Sequence, residues 1–217
     1  MAQATSTYSK IVTPENTQFR VTPALSPTAG FSILRGIVCL IPAWIITKIA
    51  LIPLYMLVGQ EHLFSTTAVA IGTLFLCYKF DTILKRWILK RENKVRCAYD
   101  IEINANNAGL NVPSTKLTVR RPDMHRLVIK NTYDKHLEMP MSQVIAAGSP
   151  VMVGSAVAAN AMTNTLAISY NNKIKALSEV SYLVTVEAGG VSHIIAGGLT
   201  EVCAYGLMTD IDHALNG

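Results

Sequence analysis

The chain has 217 residues, half of them hydrophobic, with a formal net charge of +5 and four cysteines. This length accommodates one membrane module and one modest folded domain. The cysteines form no CxxC pair and have no histidine at metal-ligand spacing, which excludes a disulfide framework and a cysteine-based zinc site. One short segment, with six basic against two acidic residues, supplies most of the net charge. The charge therefore gives little reason to expect a nucleic-acid partner.

Residues 1–30 are rich in serine, threonine, glutamine and proline and lack apolar periodicity. A segment of this composition buries too little apolar surface to order itself, so we predict a flexible arm. It does not resemble a secretory signal, because no apolar core follows the start at the usual distance.

A nearly continuous apolar stretch runs from Phe31 to Lys79. A bilayer-spanning helix needs about 20 apolar residues, and soluble elements seldom need so long a run. Turn-like residues 59–62 divide the stretch into Gly36–Val58 and the shorter His62–Tyr78. Two crossing helices with so short a connection would form a hairpin whose ends lie on one side. We therefore predict a membrane hairpin over 31–79.

Lys48 is the one charge near the middle of the first predicted span, which also contains Pro42 and Pro53. A lysine at mid-helix costs about 3 kcal/mol on insertion scales, so this intramembrane polar residue should snorkel, face a partner helix or line a wet cavity. The alternative is a pair of short segments that dip into the membrane interface and break near Lys48 and the prolines.

Residues 80–96 combine an apolar helix face with many basic side chains. The face follows i, i+3, i+4 and i+7 spacing and consists of Phe80, Ile83, Leu84, Trp87 and Ile88. The side chains predicted to bind anionic lipid are Lys85, Arg86, Trp87, Lys90, Arg91 and Lys94. The positive-inside rule places this amphipathic juxtamembrane helix, and with it both termini, in the cytosol. The face could instead pack on a soluble domain.

Short β-like runs separated by turn residues make up residues 97–217, which we predict to be a β-rich cytosolic domain, possibly an incomplete β-barrel. The clearest hairpin is Val180–Val186, turning at Gly189–Gly190 into Val191–Ile195. A further strand is predicted over Thr200–Tyr205 and continues to Met208. Met141–Ala161 is small and apolar; a third span there is disfavoured because its residues offer little transfer energy.

The titratable side chains give no catalytic or metal-binding motif. The histidine and acid groupings are Asp123 with His125, His136, His193, and Asp210, Asp212 and His213. None has the spacing of a metal loop, and no phosphate-binding or zinc-protease motif occurs. We therefore predict no metal and no cofactor.

The end of the chain resembles the first barrel of viral trypsin-like serine proteases. The matching residues are the hairpin strand Val191–Leu199 and then Tyr205-Gly-Leu-Met-Thr-Asp-Ile-Asp-His213. Glu138 and Gly148-Ser149-Pro150 are similar to the lead-in of such proteases. In sobemovirus- and polerovirus-like polyproteins, membrane spans precede a protease of this kind. The resemblance implies an apolar strand before a catalytic histidine, which would be His213.

Three residues, Asp210 to Asp212, stand between the threonine and His213, where the family usually has two. The triad order of trypsin-like enzymes places the acid and the nucleophile after the histidine, and Ala214–Gly217 supply neither. We therefore expect this chain alone not to hydrolyse peptides.

We predict a non-catalytic, viral, membrane-anchoring protein that holds a β-rich domain at an intracellular host membrane. The expected partners are anionic lipids, further copies of the chain or other membrane-complex subunits. The alternatives are a structural or envelope protein that self-associates through its β domain, the front half of a membrane-tethered trypsin-like protease, and a subunit of a cellular membrane complex.

Overall fold

The computed structural model describes residues 5–27, 33–58, 62–133 and 150–216. The chain divides into two compact units. Met1–Pro27 and Asn93–Gly217 form the first, which we call the α/β unit, and Thr28–Glu92 form the second, the helical unit.

The α/β unit contains an antiparallel five-stranded sheet in which each strand pairs with the next along the chain. Its strands are β1 (Thr7–Val12), β2 (Thr17–Thr22), β3 (Ile101–Asn106), β4 (Gly109–Val112) and β5 (Leu117–Arg120), with short 3-10 turns at Pro113–Thr115 and Arg121–Asp123. The prediction of a flexible arm over 1–30 is therefore wrong for β1 and β2. Phe19 and Val21 alternate with polar residues and are buried on one face of β2, which pairs with β3.

A second antiparallel sheet has the order β6 (Met124–Asn131), β7 (Tyr182–Ala188) and β8 (Val191–Leu199). The hairpin predicted at the glycine pair is confirmed: β7 pairs with β8 across Gly189–Gly190. Both glycines have positive φ, at 56° and 79°, as a two-residue hairpin turn requires.

Two long helices follow in the described part of the α/β unit, which corrects the mainly β prediction. The helix α3 spans Pro150–Ser178 and α4 spans Glu201–Asn216. The strand predicted from Thr200 to Met208 is wrong: from Glu201 onward these residues form the start of α4, in which Cys203, Leu207 and Ile211 recur at four-residue intervals on one buried face. The unit is thus mixed α/β, and its described strands form two open sheets and no closed barrel.

One apolar core joins both sheets to α4, which contacts β1, β3, β6 and β7. Its largest fully buried side chains include Phe19, Ile103, Leu110, Leu199, Leu207 and Ile211. Complete burial of a side chain of this size contributes about 1.5–3 kcal/mol, so this core carries much of the stability of the α/β unit.

The described part of the helical unit consists of two consecutive helices, α1 (Ile33–Val58) and α2 (His62–Val95). The last residues of α2, from Asn93, belong to the α/β unit. The division predicted at 59–62 agrees with these bounds, although residues 59–61 themselves lie outside the described residues. α1 continues through Pro42 and Pro53 as one helix, so the alternative of two segments broken there is wrong.

α2 runs without interruption through Tyr78 and Lys79. The second predicted span and the juxtamembrane helix over 80–96 are therefore one helix of 34 residues, about 51 Å long at 1.5 Å per residue. A hydrocarbon core is about 30 Å thick, so this helix is longer than a crossing requires.

Candidate membrane-contacting surface

Small side chains occupy the buried positions of the helical unit. Cys39, Ala43 and Thr47 are buried on α1, at the spacing of one helix face. A methyl group on Gly72 of α2 would lie 2.8 Å from Thr47 Cγ2, so the two helices approach closely at this point. The Thr47 hydroxyl donates to the Ala43 carbonyl at 2.8 Å and is thereby satisfied within α1. Close approach through small residues is the usual packing of helices in membranes.

Large apolar side chains point outward from both helices, with exposed fractions between 43% and 69%. On α1 they are Val38, Leu40, Ile41, Trp44, Ile45, Ile46, Ile49 and Ile52; on α2 they are Ile71, Leu74, Phe75, Tyr78, Ile83 and Trp87. A water-soluble helix pair buries such residues and exposes polar ones. In the helical unit the large apolar side chains are exposed instead, and small side chains are buried.

The length and composition of the helices bear on the predicted membrane hairpin. Among the described residues, one helical stretch, Thr67–Val95, is long and apolar enough to cross a membrane, and 11% of its apolar window is buried. The apolar stretch Val38–Pro53 of α1 is shorter. One such helix is compatible with a membrane protein and gives the hairpin limited support.

Lys48 belongs to the outward set rather than to the buried small face. Its side chain is exposed, and its ammonium lies 5.8 Å from the centre of the Trp44 ring, one helical turn away. The ring face can stabilise the cation. The predicted surroundings of Lys48 were the membrane interface, a partner helix or a wet cavity, and these stay predictions; the neighbour that the structure shows is the Trp44 ring on the same helix.

The predicted lipid-binding side chains all lie on α2. Arg86, Trp87, Lys90, Arg91 and Lys94 are exposed. Lys85 is partly exposed and pairs with Asp81 at 3.3 Å, one turn earlier. The Arg91 guanidinium lies 5.7 Å from the Trp87 ring. The segment therefore presents a basic surface and two exposed apolar side chains, Ile83 and Trp87, which are 61% and 57% exposed.

Arg96 differs from the other basic residues of this segment, because it is completely buried in the α/β unit. Its Nε and Nη2 atoms donate to the Val180 carbonyl at 3.1 and 2.7 Å, and Nη2 also donates to the Ala24 carbonyl at 2.8 Å. Arg96, which follows α2, thus connects Ala24, which precedes the helical unit, to Val180, which follows α3. Sequence reasoning placed it in the basic flank, since spacing alone does not separate an exposed arginine from a buried one.

His213 lies exposed in the last turn of α4, beside an open cleft of about 460 Å³ at the turn between β1 and β2. The protease resemblance requires a strand before this histidine, and the structure has a helix there. Asp210, one turn earlier, accepts hydrogen bonds from the Tyr8 hydroxyl at 2.7 Å and from Lys10 Nζ at 2.9 Å. The lead-in residues Glu138 and Gly148–Ser149 lie outside the described residues.

The contact of Asp210 with Tyr8 and Lys10 connects parts of the fold. It holds the pKa of the Asp210 carboxyl below its usual range, because both donors favour the charged form. Burial, and then the hydrogen bond to Asp210, raise the pKa of Tyr8 to about 12. The carboxylate joins β1 to α4, across 202 positions of sequence.

This contact predicts a change in stability at high pH. The raised Tyr8 pKa means that its stabilising effect is complete below pH 10, the usual tyrosine pKa, and is lost as pH rises toward about 12. Tyr8→Phe keeps the ring beside Phe19 and removes the hydroxyl, so its urea midpoint should fall less steeply over this pH range than that of the wild type. The exposed Tyr99, changed to Phe, is the control and should retain the wild-type slope; an unchanged slope in Tyr8→Phe would contradict the assignment.

Comparison with known proteins gives no further guidance: no family model matches the chain, and neither the curated proteins nor the solved structures contain a match. Within the described residues, no group of three or more His, Cys, Asp or Glu side chains could hold a metal ion.

Proposed function

We propose that this chain is a non-catalytic membrane anchor, in which α1 and α2 insert into a bilayer and hold the α/β unit at its surface. The observation that carries the proposal is the inverse packing of the helical unit, with small side chains inside and large apolar ones outside. A bilayer replaces the water that would otherwise contact this surface.

The distribution of outward residues on α1 favours lipid over a protein partner. Leu40, Ile41, Trp44, Ile45 and Ile46 are all exposed. Successive helix positions turn by about 100°, so these side chains cover much more than one stripe of the helix. A second copy or another subunit would cover one stripe, whereas lipid surrounds a helix. Self-association through the helices therefore has less support than insertion.

Sheet pairing supports an even number of crossings. β2 and β3 flank the helical unit and pair with each other in one sheet. The chain between them must therefore leave and return on the same side of any membrane. If α2 crosses, α1 crosses too, and both ends of the chain lie with the α/β unit. By the same reasoning β6 and β7 pair around α3, so α3 alone cannot carry the chain across, and a third span at Met141–Ala161 is not part of the proposal.

Energetics also favour insertion of the two helices as a pair. Each outward aliphatic side chain of α1 contributes about 0.3–0.6 kcal/mol on insertion scales, while Lys48 costs about 3 kcal/mol. The seven outward aliphatic side chains together contribute about 2–4 kcal/mol, which is similar in size to the cost of Lys48, so α1 alone is a marginal span. Packing on α2 through Gly72 and Thr47 supplies the additional stabilisation.

The basic end of α2 favours a cytosolic α/β unit, because lysine and arginine close to a span resist translocation. The same residues favour an anionic leaflet. Since α2 is continuous, the basic turns nearest the membrane contact headgroups, and the later ones lead along the chain into the α/β unit. Peptide hydrolysis has no place in this proposal, because His213 lies within α4 rather than after a strand, and Asp210 already binds Tyr8 and Lys10.

The position of the connection between α1 and α2 tests the proposal. An epitope tag inserted between Gly59 and Gln60 should be protected from added protease in sealed vesicles, while a tag at the C-terminus should be cleaved. Removal of both tags in intact vesicles, with protection of a lumenal marker, would contradict insertion of the two helices.

A charge-removal variant tests the orientation. Changing Lys85, Arg86, Lys90 and Arg91 to glutamine should leave the chain in the membrane but raise the fraction with a protected C-terminus severalfold, because the positive-inside signal is reduced. The matched control changes four exposed basic residues that lie more than 20 positions after the end of α2, Lys116, Arg120, Arg126 and Lys130, to glutamine and should behave as the wild type. Equal orientation of both variants would remove the role assigned to the basic segment.

A further inference from the structure

β1 is an edge strand whose outer side has no partner. It pairs with β2 in a continuous register, and among the described residues no strand pairs with its other side. The Thr13 amide donates to the Asn16 carbonyl at 2.9 Å, which shows which residues of the hairpin are bonded to each other. Bonded and non-bonded pairs alternate along an antiparallel ladder. The residues that direct their N–H and C=O groups outward are therefore Tyr8, Lys10 and Val12.

The side chains of β1 are suited to pairing with a further strand. Ile11 and Val12 are 54% and 68% exposed, and the strand has six residues without a proline. A lysine on an edge strand usually opposes pairing, because its charge would be brought against the added strand. In β1 the one charge, on Lys10, is neutralised by Asp210 at 2.9 Å. The protection that this lysine gives to the edge is thereby reduced.

The other edges of the two sheets carry features that block pairing. β5 has only four residues and ends in Arg120. β6 has a bulge between Met124 and Arg126. β8 is partly covered, since the Ala24 amide donates to the Gly198 carbonyl at 2.8 Å. Short strands, bulges and covering segments are the usual protection of a sheet edge, so among the described strands β1 is the one left open.

We propose that β1 pairs with β1 of a second copy of the chain, antiparallel and around a two-fold axis at Ser9, so that two five-stranded sheets become one continuous sheet. This interface belongs to the α/β unit. It goes beyond the anchor function and does not depend on it. The occupant is a strand because a row of outward N–H and C=O groups is matched by the backbone of another strand, which neither lipid nor a small molecule supplies.

The side chains of β1 complement one another around this axis. The two Ser9 side chains lie opposite each other, and Thr7 lies opposite the partner's Ile11, which loses exposed apolar surface. Lys10 lies opposite the partner's Tyr8, whose hydroxyl binds a carboxylate at 2.7 Å. Each ammonium is thus placed toward a residue that holds a negative charge, which favours a second copy as the occupant.

The neighbouring registers that keep the outward backbone groups paired are less favourable. A two-fold axis at Lys10 places two lysines directly opposite each other, and like charges in this position are destabilising. An axis at Ile11 extends the pairing to Thr13, whose hydroxyl already donates to the Asn16 carbonyl in the hairpin turn. The charge pattern and the turn therefore select the axis at Ser9.

Cysteine cross-linking tests the contact. Across an axis at Ser9 the two Cα atoms lie about 4.5 Å apart, which is within the range that a disulfide joins. Ser9→Cys in the full chain, in membranes or detergent micelles, should therefore form a disulfide-linked dimer on mild oxidation. Thr7→Cys is the matched control on the same face of the same strand, since two copies of this position would be about 13 Å apart at 3.3 Å per residue. Thr118→Cys is an exposed control on β5, and the wild type reports cross-links of the four native cysteines.

Ser9→Cys should cross-link about tenfold faster than either control variant, because only this position meets the geometry of a disulfide. Equal rates at the three positions would overturn the inference, since random collision produces that pattern. Absence of a cross-link at position 9, with slow amide exchange of Tyr8 and Lys10, would overturn the second copy as the occupant and indicate a strand from another protein.

Proline at position 10 tests the backbone pairing in the Ser9→Cys variant. Lys10→Pro removes an N–H that faces away from β2, so the bonds between β1 and β2 remain. Lys10→Ala is the matched control, because it also loses the ion pair with Asp210 but retains the N–H. The cross-linking rate should fall severalfold in Lys10→Pro and stay nearly unchanged in Lys10→Ala, while the amide protection of β2 monitors the fold. Equal rates in the two variants would overturn backbone pairing as the basis of the contact.

Discussion

Replacing Arg96 with alanine is expected to lower the free energy of unfolding of the α/β unit by about 3–5 kcal/mol. The guanidinium is completely buried and donates three hydrogen bonds to the carbonyls of Ala24 and Val180. Its loss removes charged donors from two buried acceptors and leaves a cavity the size of a large side chain. Lysine should restore little, because one ammonium cannot reproduce the fork of donors.

Arg20→Ala is the matched control. Arg20 forms a salt bridge with Glu102 at 2.7 Å, but both side chains are largely exposed, so its loss should cost less than about 1 kcal/mol. Amide hydrogen exchange of β7 and β8 in detergent micelles measures the stability of the α/β unit. Tryptophan fluorescence would not, since both tryptophans lie in the helical unit. A loss below about 1 kcal/mol for Arg96→Ala would show that the stability of the α/β unit does not depend on this residue.

Gly198→Ala is expected to destabilise the same region by about 3–4 kcal/mol, for two separate reasons. The backbone of Gly198 has φ of +69°, which strains any residue with a side chain. An added methyl would also lie 2.5 Å from Ala98 Cβ and 3.1 Å from Pro23 Cβ. Neither neighbour can rotate away, because the Ala98 methyl is rigid and the Pro23 ring is constrained.

Gly190→Ala separates the two causes. Gly190 has a similar φ of +79° but no atom within 4 Å of the added methyl, so it should cost about 1 kcal/mol from backbone strain alone. The difference between the two variants, measured by hydrogen exchange, isolates the close contact of β8 with Ala98 and Pro23. Equal losses would mean that this packing contributes nothing.

Local patterns predicted some elements well. The β7–β8 hairpin was predictable because Val184 and Val186 alternate with other residues and Gly189–Gly190 supplies the positive φ that its turn requires. The end of α1 and the start of α2 follow from the turn-like residues between two apolar runs. In each case the signal lies within a few positions along the chain.

Elements that depend on distant partners were missed. β2 pairs with β3, about 80 positions away, and its alternation of Phe19 and Val21 is too short to predict a strand without that partner. The prediction for α4 was wrong because the apolar residues from Val202 to Met208 fit a strand as well as a helix. The four-residue recurrence of Leu207, Ile211 and Leu215 was the signal that favoured the helix.

The candidate site was predictable in composition but not in arrangement. The apolar stretch and its basic flank were visible in the sequence, because a membrane helix is recognised by the number of its apolar residues. The inverse packing, the continuity of α2 and the burial of Arg96 depend on which way each side chain faces. Tyr8 and Asp210 lie at opposite ends of the chain, and no local pattern brings them together.

Alkaline carbonate extraction of membranes that contain the full chain tests the anchor proposal most directly. Alkaline carbonate opens vesicles and releases proteins held by charge, while inserted helices remain with the lipid. We expect the chain to stay in the membrane fraction and to float with it, because the outward side chains of α1 and α2 contact acyl chains. Release of the chain into the supernatant would contradict the central claim and would mean that another surface covers these helices.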